Sequence, residues 1–154
     1  MAERLAREKA CEVARRLNNR RAGAPGDAPR ILAADTVVIR RGIVLGKPVD
    51  DRDARRMLRL LSGGTHRVVS GVAVCGPGGV ALRSLRVTTL VTFRRLSAEE
   101  IRWYVSTGEP SGKAGAYAVQ GRASIFITRI SGSWTNVVGL PMESITPLIG
   151  LPPR

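Results

Sequence analysis

The sequence predicts a mixed α/β domain in which an elongated, partly antiparallel sheet is flanked by helices. Segments of helical period and β-branched segments interleave along the chain without strict βαβ alternation. Two long β-branched runs, 66–75 and 80–93, face each other across Gly76-Pro77-Gly78-Gly79 and read as an antiparallel hairpin. A chain of 154 residues that is 44% hydrophobic and 24% charged is also long enough, and apolar enough, to bury one core as a single domain over 1–154.

Residues 3–21 carry Leu5, Val13 and Leu17 with Ala6, Ala10 and Ala14 at helical spacing, and Gly23 and Pro25 end that helix. A Gly/Pro/Asp loop over 22–30 leads into a strand, Ile31 to Ile39, interrupted by Asp35. Arg41-Gly42 turns the chain back into Ile43-Val44-Leu45. Asp50 or Asp51 caps a helix running to about Leu61, with Ala54, Met57, Leu58 and Leu61 inward, and Ser62-Gly63-Gly64 stops it. After the hairpin, Ser97-Ala98-Glu99-Glu100 is a capping box opening a helix to Ser106. Short strands are expected near 115–119 and 124–130, then a polar loop over 131–136 and a helix from Pro141 to about Gly150.

Composition excludes several classes. No apolar run has the length of a membrane span, and the first residues, with Glu3, Arg4, Arg7 and Glu8, lack a signal-peptide core. Cys11 and Cys75 give no disulfide framework, so a reduced, cytoplasmic protein is expected. The net charge of +13 would attract polyanions. Nucleic acid is nevertheless not the expected partner, because the arginines are scattered and the six aromatics are spread along the chain with no stacking platform. An anionic small substrate fits better.

Only three of the 25 basic residues are lysine: Lys9, Lys47 and Lys113. In so Arg-rich a chain, positions that stay lysine are candidates for sites needing a compact ammonium instead of a planar guanidinium. Lys9 lies on the apolar side of the first helix, Lys47 follows the second strand and Lys113 lies in a Gly-rich turn. Asp35 is the sharpest candidate, since a carboxylate inside an apolar strand must be desolvated or paired. Beside the hydroxyl of Thr36 and with Lys47 returning on the hairpin, it suits a general base for water, or a ligand to Mg²⁺ or Mn²⁺ held jointly with substrate phosphates. The lack of further acidic clusters argues against a two-metal nuclease. The segment from Glu109 to Gly121 brings Lys113 and Gln120 among small residues that let a ligand approach the backbone, and Glu109 at its start is counted with the substrate-binding candidates. His66, the only histidine, has no ligand or triad setting and reads as structural.

These residues carry a resemblance. Leu5-Ala6-Arg7-Glu8-Lys9-Ala10, Ala34-Asp35-Thr36-Val37-Val38, Leu45-Gly46-Lys47-Pro48 and Leu61-Ser62-Gly63-Gly64-Thr65-His66 occur in the order seen in the Maf family of nucleoside triphosphate pyrophosphatases. So do Ser70-Gly71-Val72-Ala73-Val74, Thr107-Gly108-Glu109-Pro110, Lys113-Ala114-Gly115-Ala116-Tyr117, Gln120-Gly121 and Val137-Val138-Gly139-Leu140-Pro141. The resemblance implies a Maf/inosine-triphosphatase-like fold, often a homodimer. It implies divalent-cation-dependent hydrolysis of a nucleoside triphosphate to the monophosphate and pyrophosphate. On it, Asp35 is the proton acceptor, Lys9, Lys47 and Lys113 neutralise phosphate charge, and Thr36 and Gln120 occupy the positions of base choice. The Asp-Thr and Gln-Gly pairs are similar to the branch acting on dTTP and UTP. The family's Ser-x-Ser-Pro-Arg-Arg loop is not found in this chain, so a domain shortened at its N-terminus is expected, and Ser111-Gly112 stands where many relatives have Asp. A second reading follows from that departure: a catalytically impaired form that binds nucleotide or RNA through its basic surface.

Overall fold

A computed structural model describes residues 1–20 and 30–149. The chain runs α1 (Ala2–Arg20), β1 (Ile31–Arg40), β2 (Ile43–Leu45), α2 (Asp51–Leu61), β3 (Thr65–Cys75), β4 (Ala81–Phe93), α3 (Ala98–Ser106), β5 (Ile127–Ser131), α4 (Trp134–Val138) and α5 (Met142–Ile149). The strands form one sheet in the order β2-β1-β3-β4-β5, and every pairing is antiparallel. Helices cover both faces, which bears out the expected fold class.

Local chemistry explains most boundaries. Asp50 caps α2 by accepting from Asp53 N at 2.7 Å, and Ser97 and Glu100 form the reciprocal capping box of α3. Arg41 and Gly42, both at positive φ, turn β1 into β2. The region after α3 departs from expectation. Residues 114–116 and 122–126 form single 3₁₀ turns, and the strand begins only at Ile127. Small residues there follow a close-packed path that docks on the sheet instead of pairing with it. The polar segment near 131–136 in turn gives way to α4, capped by Ser133 Oγ accepting from Asn136 N at 2.9 Å. The loop expected over 22–30, apart from Arg30, and the helix stop at Gly150 lie outside the described residues.

The two faces of the sheet are built differently. The main core joins β3 and β4 to α2 and α3 through Leu58, Leu61, Val68 and Val91, with an aromatic group around Phe93. There Phe93 meets Tyr117 edge-on at 4.9 Å and His66 at 5.1 Å. On the opposite face α1 lies on a thin seam of small side chains: Ala6, Ala10, Cys11 and Ala14 against Ala73 and Cys75. The expected apolar stripe of α1 is therefore corrected, since the alanines pack while Val13 stays 44% exposed. Small residues win because the helix comes very close to the sheet. A Cβ added to Gly71 would lie 2.1 Å from Glu3 N.

That same approach corrects the reading of the cysteines, for Cys11 and Cys75 are joined in a disulfide with their Cα atoms 5.3 Å apart. Their separation of 64 residues concealed the contact in the sequence. Among the described residues no helix is long and apolar enough to cross a membrane.

Two stability predictions follow. Because the crosslink reinforces a seam with little apolar area, Cys11→Ser with Cys75→Ser, or reduction of the wild type, lowers unfolding free energy by about 2–4 kcal/mol. Denaturant melts with and without dithiothreitol read this, and identical midpoints would contradict it. His66 is 2% exposed, and burial first, then the nearby Arg40 charge, lower its pKa from 6.5 to about 4. The unfolded chain thus takes up a proton below pH 6.5 that the folded chain refuses until about pH 4. The His66 contribution to stability is full above that window and falls by about 3 kcal/mol as pH drops through it. As His66 is the only histidine, the decline between pH 6.5 and 5 should be largely absent in His66→Gln.

Candidate active site

The candidate site is a cleft at the open edge of β1. Strand β2 pairs only with Val38–Arg40, so among the described residues the stretch 31–37 has no strand on the side away from β3. Side chains alternate across a strand, so Asp35 and Thr36 point to opposite faces. At an open edge both can still reach one cavity, and both line a cleft of about 320 Å³.

Asp35 stands opposite Gly71 on β3, on the face covered by α1. Its side chain is 17% exposed and its Oδ1 accepts from Lys9 Nζ. The acid is thus paired, one of the two outcomes that its place in an apolar strand required. No other hydrogen bond to the carboxylate is made among the described residues, which leaves Oδ2 uncommitted. Lys9 reaches it because α1 lies so close above Gly71.

Lys47 and Lys113 come to the cleft together by one backbone contact. After β2 the chain leaves the sheet, and Gly46 O accepts from Gly115 N at 2.9 Å. Gly115 has φ +71°, and a Cβ there would lie 2.9 Å from Val38 Cγ2, so only glycine lets this turn settle against β1. Both lysines are exposed, line the cleft and form no ion pair among the described residues. With Lys9 they bring all three lysines to the cleft that Asp35 lines.

Gln120 also lines the cleft, from the turn after Ala118. Glu109 is not among the lining residues. Its carboxylate accepts from the Tyr104 hydroxyl at 2.9 Å and from Arg122 N at 3.0 Å. Partial burial pushes its pKa up, but the bonds from Arg122 N, the Tyr104 hydroxyl and Ala123 N outweigh this and hold it below the ordinary value. A Cβ on Gly121 would lie 2.3 Å from Glu109 Oε1, so this acid braces the turn that carries Gln120. A helix-end acid before a glycine-rich loop gives no sign in sequence of which side it faces.

Sequence reasoning also missed the buried polar support of one wall. Thr36 Oγ1 lies 2.7 Å from Ser70 Oγ and 3.4 Å from Gly139 O, while Ser70 Oγ donates to Asn136 O at 3.4 Å. Val137, Val138 and Gly139 line the cleft on that side. Ser70 and Asn136 could have been flagged only by their polarity within apolar runs.

A site with one paired acid, an uncommitted carboxylate oxygen and three convergent ammonium groups suits hydrolysis of a polyphosphate. Comparison with known proteins agrees. The family model described as Maf-like protein matches residues 1–150. A protein named dTTP/UTP pyrophosphatase from Anaeromyxobacter dehalogenans (strain 2CP-C) is 49% identical over 149 residues, covering 95% of this chain and 70% of the relative. One of the same name from Pelotomaculum thermopropionicum is 46% identical over 149 residues, covering 97% and 73%. A nucleoside triphosphate pyrophosphatase from Xylella fastidiosa (strain M23) is 48% identical over 122 residues, covering 79% and 64%. The matched span takes in the acid, the three lysines and the turns that bring them together, and the chain is a member of the Maf family.

Proposed function

We propose that this protein hydrolyses dTTP and UTP to the monophosphate and pyrophosphate, with Asp35 as proton acceptor and Lys9, Lys47 and Lys113 as the phosphate-binding cations. The observation that carries the reading is the convergence of all three lysines of the chain on the cleft that holds Asp35. The names borne by relatives at 46–49% identity supply the nucleotide.

The chemistry follows from the placement. Water adds to a phosphorus of the α–β anhydride as the bridging P–O bond breaks, and its proton passes to the free oxygen of Asp35. Lys9 fixes the carboxylate through the other oxygen and keeps a positive charge beside the reacting centre. Lys47 and Lys113 line the same cleft from turns joined by the Gly46–Gly115 contact, and their role is to meet the charge that grows on the leaving pyrophosphate. Their freedom from ion pairs among the described residues means that binding a triphosphate breaks no bridge to either.

A divalent cation fits this donor set only in company with the substrate. No group of three or more His, Cys, Asp or Glu side chains able to hold a metal exists among the described residues. Mg²⁺ commonly takes one or two carboxylates, several waters and phosphate oxygens, so Asp35 with the triphosphate would hold it. Bound there, the cation supplies charge neutralisation and polarises the phosphate oxygens.

The direct test is pyrophosphate release from dTTP, UTP, CTP and GTP with Mg²⁺ or Mn²⁺. Preference for the first two supports the proposal, and absence of release from any of them refutes it. In Asp35→Asn, kcat is expected to fall about 100-fold or more with nucleotide affinity largely kept, as for loss of a general base. Retained turnover would remove Asp35 from that role. Lys47→Ala and Lys113→Ala should weaken triphosphate binding, each by about tenfold or more for a lost charge-assisted hydrogen bond, while thermal stability holds.

A further inference from the structure

We propose that Ser70 and Asn136 are positioning residues for the nucleoside: a buried polar relay rooted in them sets where the Val137–Gly139 wall of the cleft stands. The inference rests on the nucleotide reading above and adds a set of residues to which that reading gives no role.

Ser70 and Asn136 are each fully buried, as is Thr89. Ser70 stands opposite Thr36 in the β1–β3 register, and their hydroxyls meet at 2.7 Å. Each hydroxyl has one proton. If Thr36 donates to Ser70, Ser70 donates to Asn136 O, and if Ser70 donates to Thr36, Thr36 donates to Gly139 O. Whichever direction holds, the relay ends on a carbonyl of the 136–139 turn. That turn is closed by Gly139 N donating to Asn136 O at 3.1 Å.

The other end is fixed by the Asn136 amide. Nδ2 donates to Val68 O at 3.1 Å and to Thr89 Oγ1 at 2.9 Å, while Thr89 Oγ1 also accepts from Ser133 N at 3.1 Å. Both Nδ2 protons are spent on the sheet, and Oδ1 is buried with no partner among the described residues. A flipped amide would set Oδ1 against Val68 O, so the donors define the orientation. Here the two donors tie the wall to β3 and β4.

The wall faces the part of the substrate the lysines do not. Lys9, Lys47 and Lys113 supply the charge for phosphates, whereas Val137 and Val138 offer apolar surface beside Thr36. An apolar wall held at fixed distance from a strand suits the flat face of a base and its sugar. Moving it changes nucleoside binding and leaves the Asp35–Lys9 pair, on the other face of β1, in place.

The test uses the whole chain in three variants: Ser70→Ala, Thr89→Val and Thr89→Ser. Thr89 does not line the cleft and acts only through Asn136 and the turn. Ser70→Ala and Thr89→Val are expected to raise KM for dTTP about three- to tenfold, the equivalent of one lost hydrogen bond, with kcat changed less than about twofold. Thr89→Ser, which keeps the hydroxyl, should restore KM. Competitive inhibition by inorganic tripolyphosphate, which has no nucleoside, should be unchanged in all three. A parallel loss of tripolyphosphate affinity, or a KM unchanged in both disruptive variants, overturns the proposal. Amide hydrogen exchange over residues 137–140 gives a readout independent of turnover. Exchange should quicken by about three- to tenfold there in the disruptive variants, and unaltered exchange overturns the inference. If the wild type hydrolyses no nucleotide, the functional reading fails while exchange still decides whether the relay holds the wall.

Discussion

The site depends on the register of β1 against β3. Asp35 pairs with Gly71 and Thr36 with Ser70. Opposite Asp35 stands the one residue of that strand pair without a side chain, and the space it leaves admits the N-terminal turn of α1. Helix α1 then delivers Lys9 to the carboxylate. Opposite Thr36 stands a hydroxyl that continues the polar contact to the 136–139 turn. A slip of one residue would send Asp35 into the face occupied by the main core and Thr36 under α1. Nine paired positions, from Ile31 to Ile39, oppose that slip.

The same strand shows how a site can draw on both faces of a sheet. Strand β2 stops at Leu45, and the chain that follows turns away to meet Gly115. The exposed flank of β1 then becomes the floor of the cleft. A carboxylate with its lysine lies to one side, two lysines arrive from the loops beyond β2, and the apolar wall stands on the other side. Cations that would repel one another in a packed interior are kept apart on three separate elements and exposed to water. Solvent screens their repulsion until a triphosphate takes its place.

Stability is distributed unevenly in support of this arrangement. The main core of large aliphatic and aromatic residues lies behind the wall and behind the turns that carry Lys113 and Gln120, so those parts of the cleft rest on a rigid base. Among the described residues, helix α1 packs mainly through alanines and one disulfide. The helix bearing the lysine next to the acid is thus the more weakly packed part of the site, and the crosslink compensates for apolar area that close approach does not allow. Glu109 supports the site from a distance by bracing the Gln120 turn.

The sequence by itself determined the elements whose causes are local. The β1–β2 turn, the Asp50 cap, the Ser97 capping box and the long hairpin are written in residues a few positions apart, and each was legible. The scarcity of lysine singled out three cations, and the break in an apolar strand singled out Asp35. Only the tertiary structure decided what depends on residues far apart in the chain. It placed Cys11 beside Cys75, chose alanine over valine for the buried side of α1, and turned Glu109 away from the cleft wall into the base of a neighbouring turn. It turned the small-residue stretch after α3 into docked 3₁₀ turns where strands were expected. It also joined Ser70 and Asn136, 66 residues apart, into one polar relay. Period and capping are properties of neighbouring residues, whereas the closeness of a helix to a sheet is set by what lies opposite, and no local pattern records it.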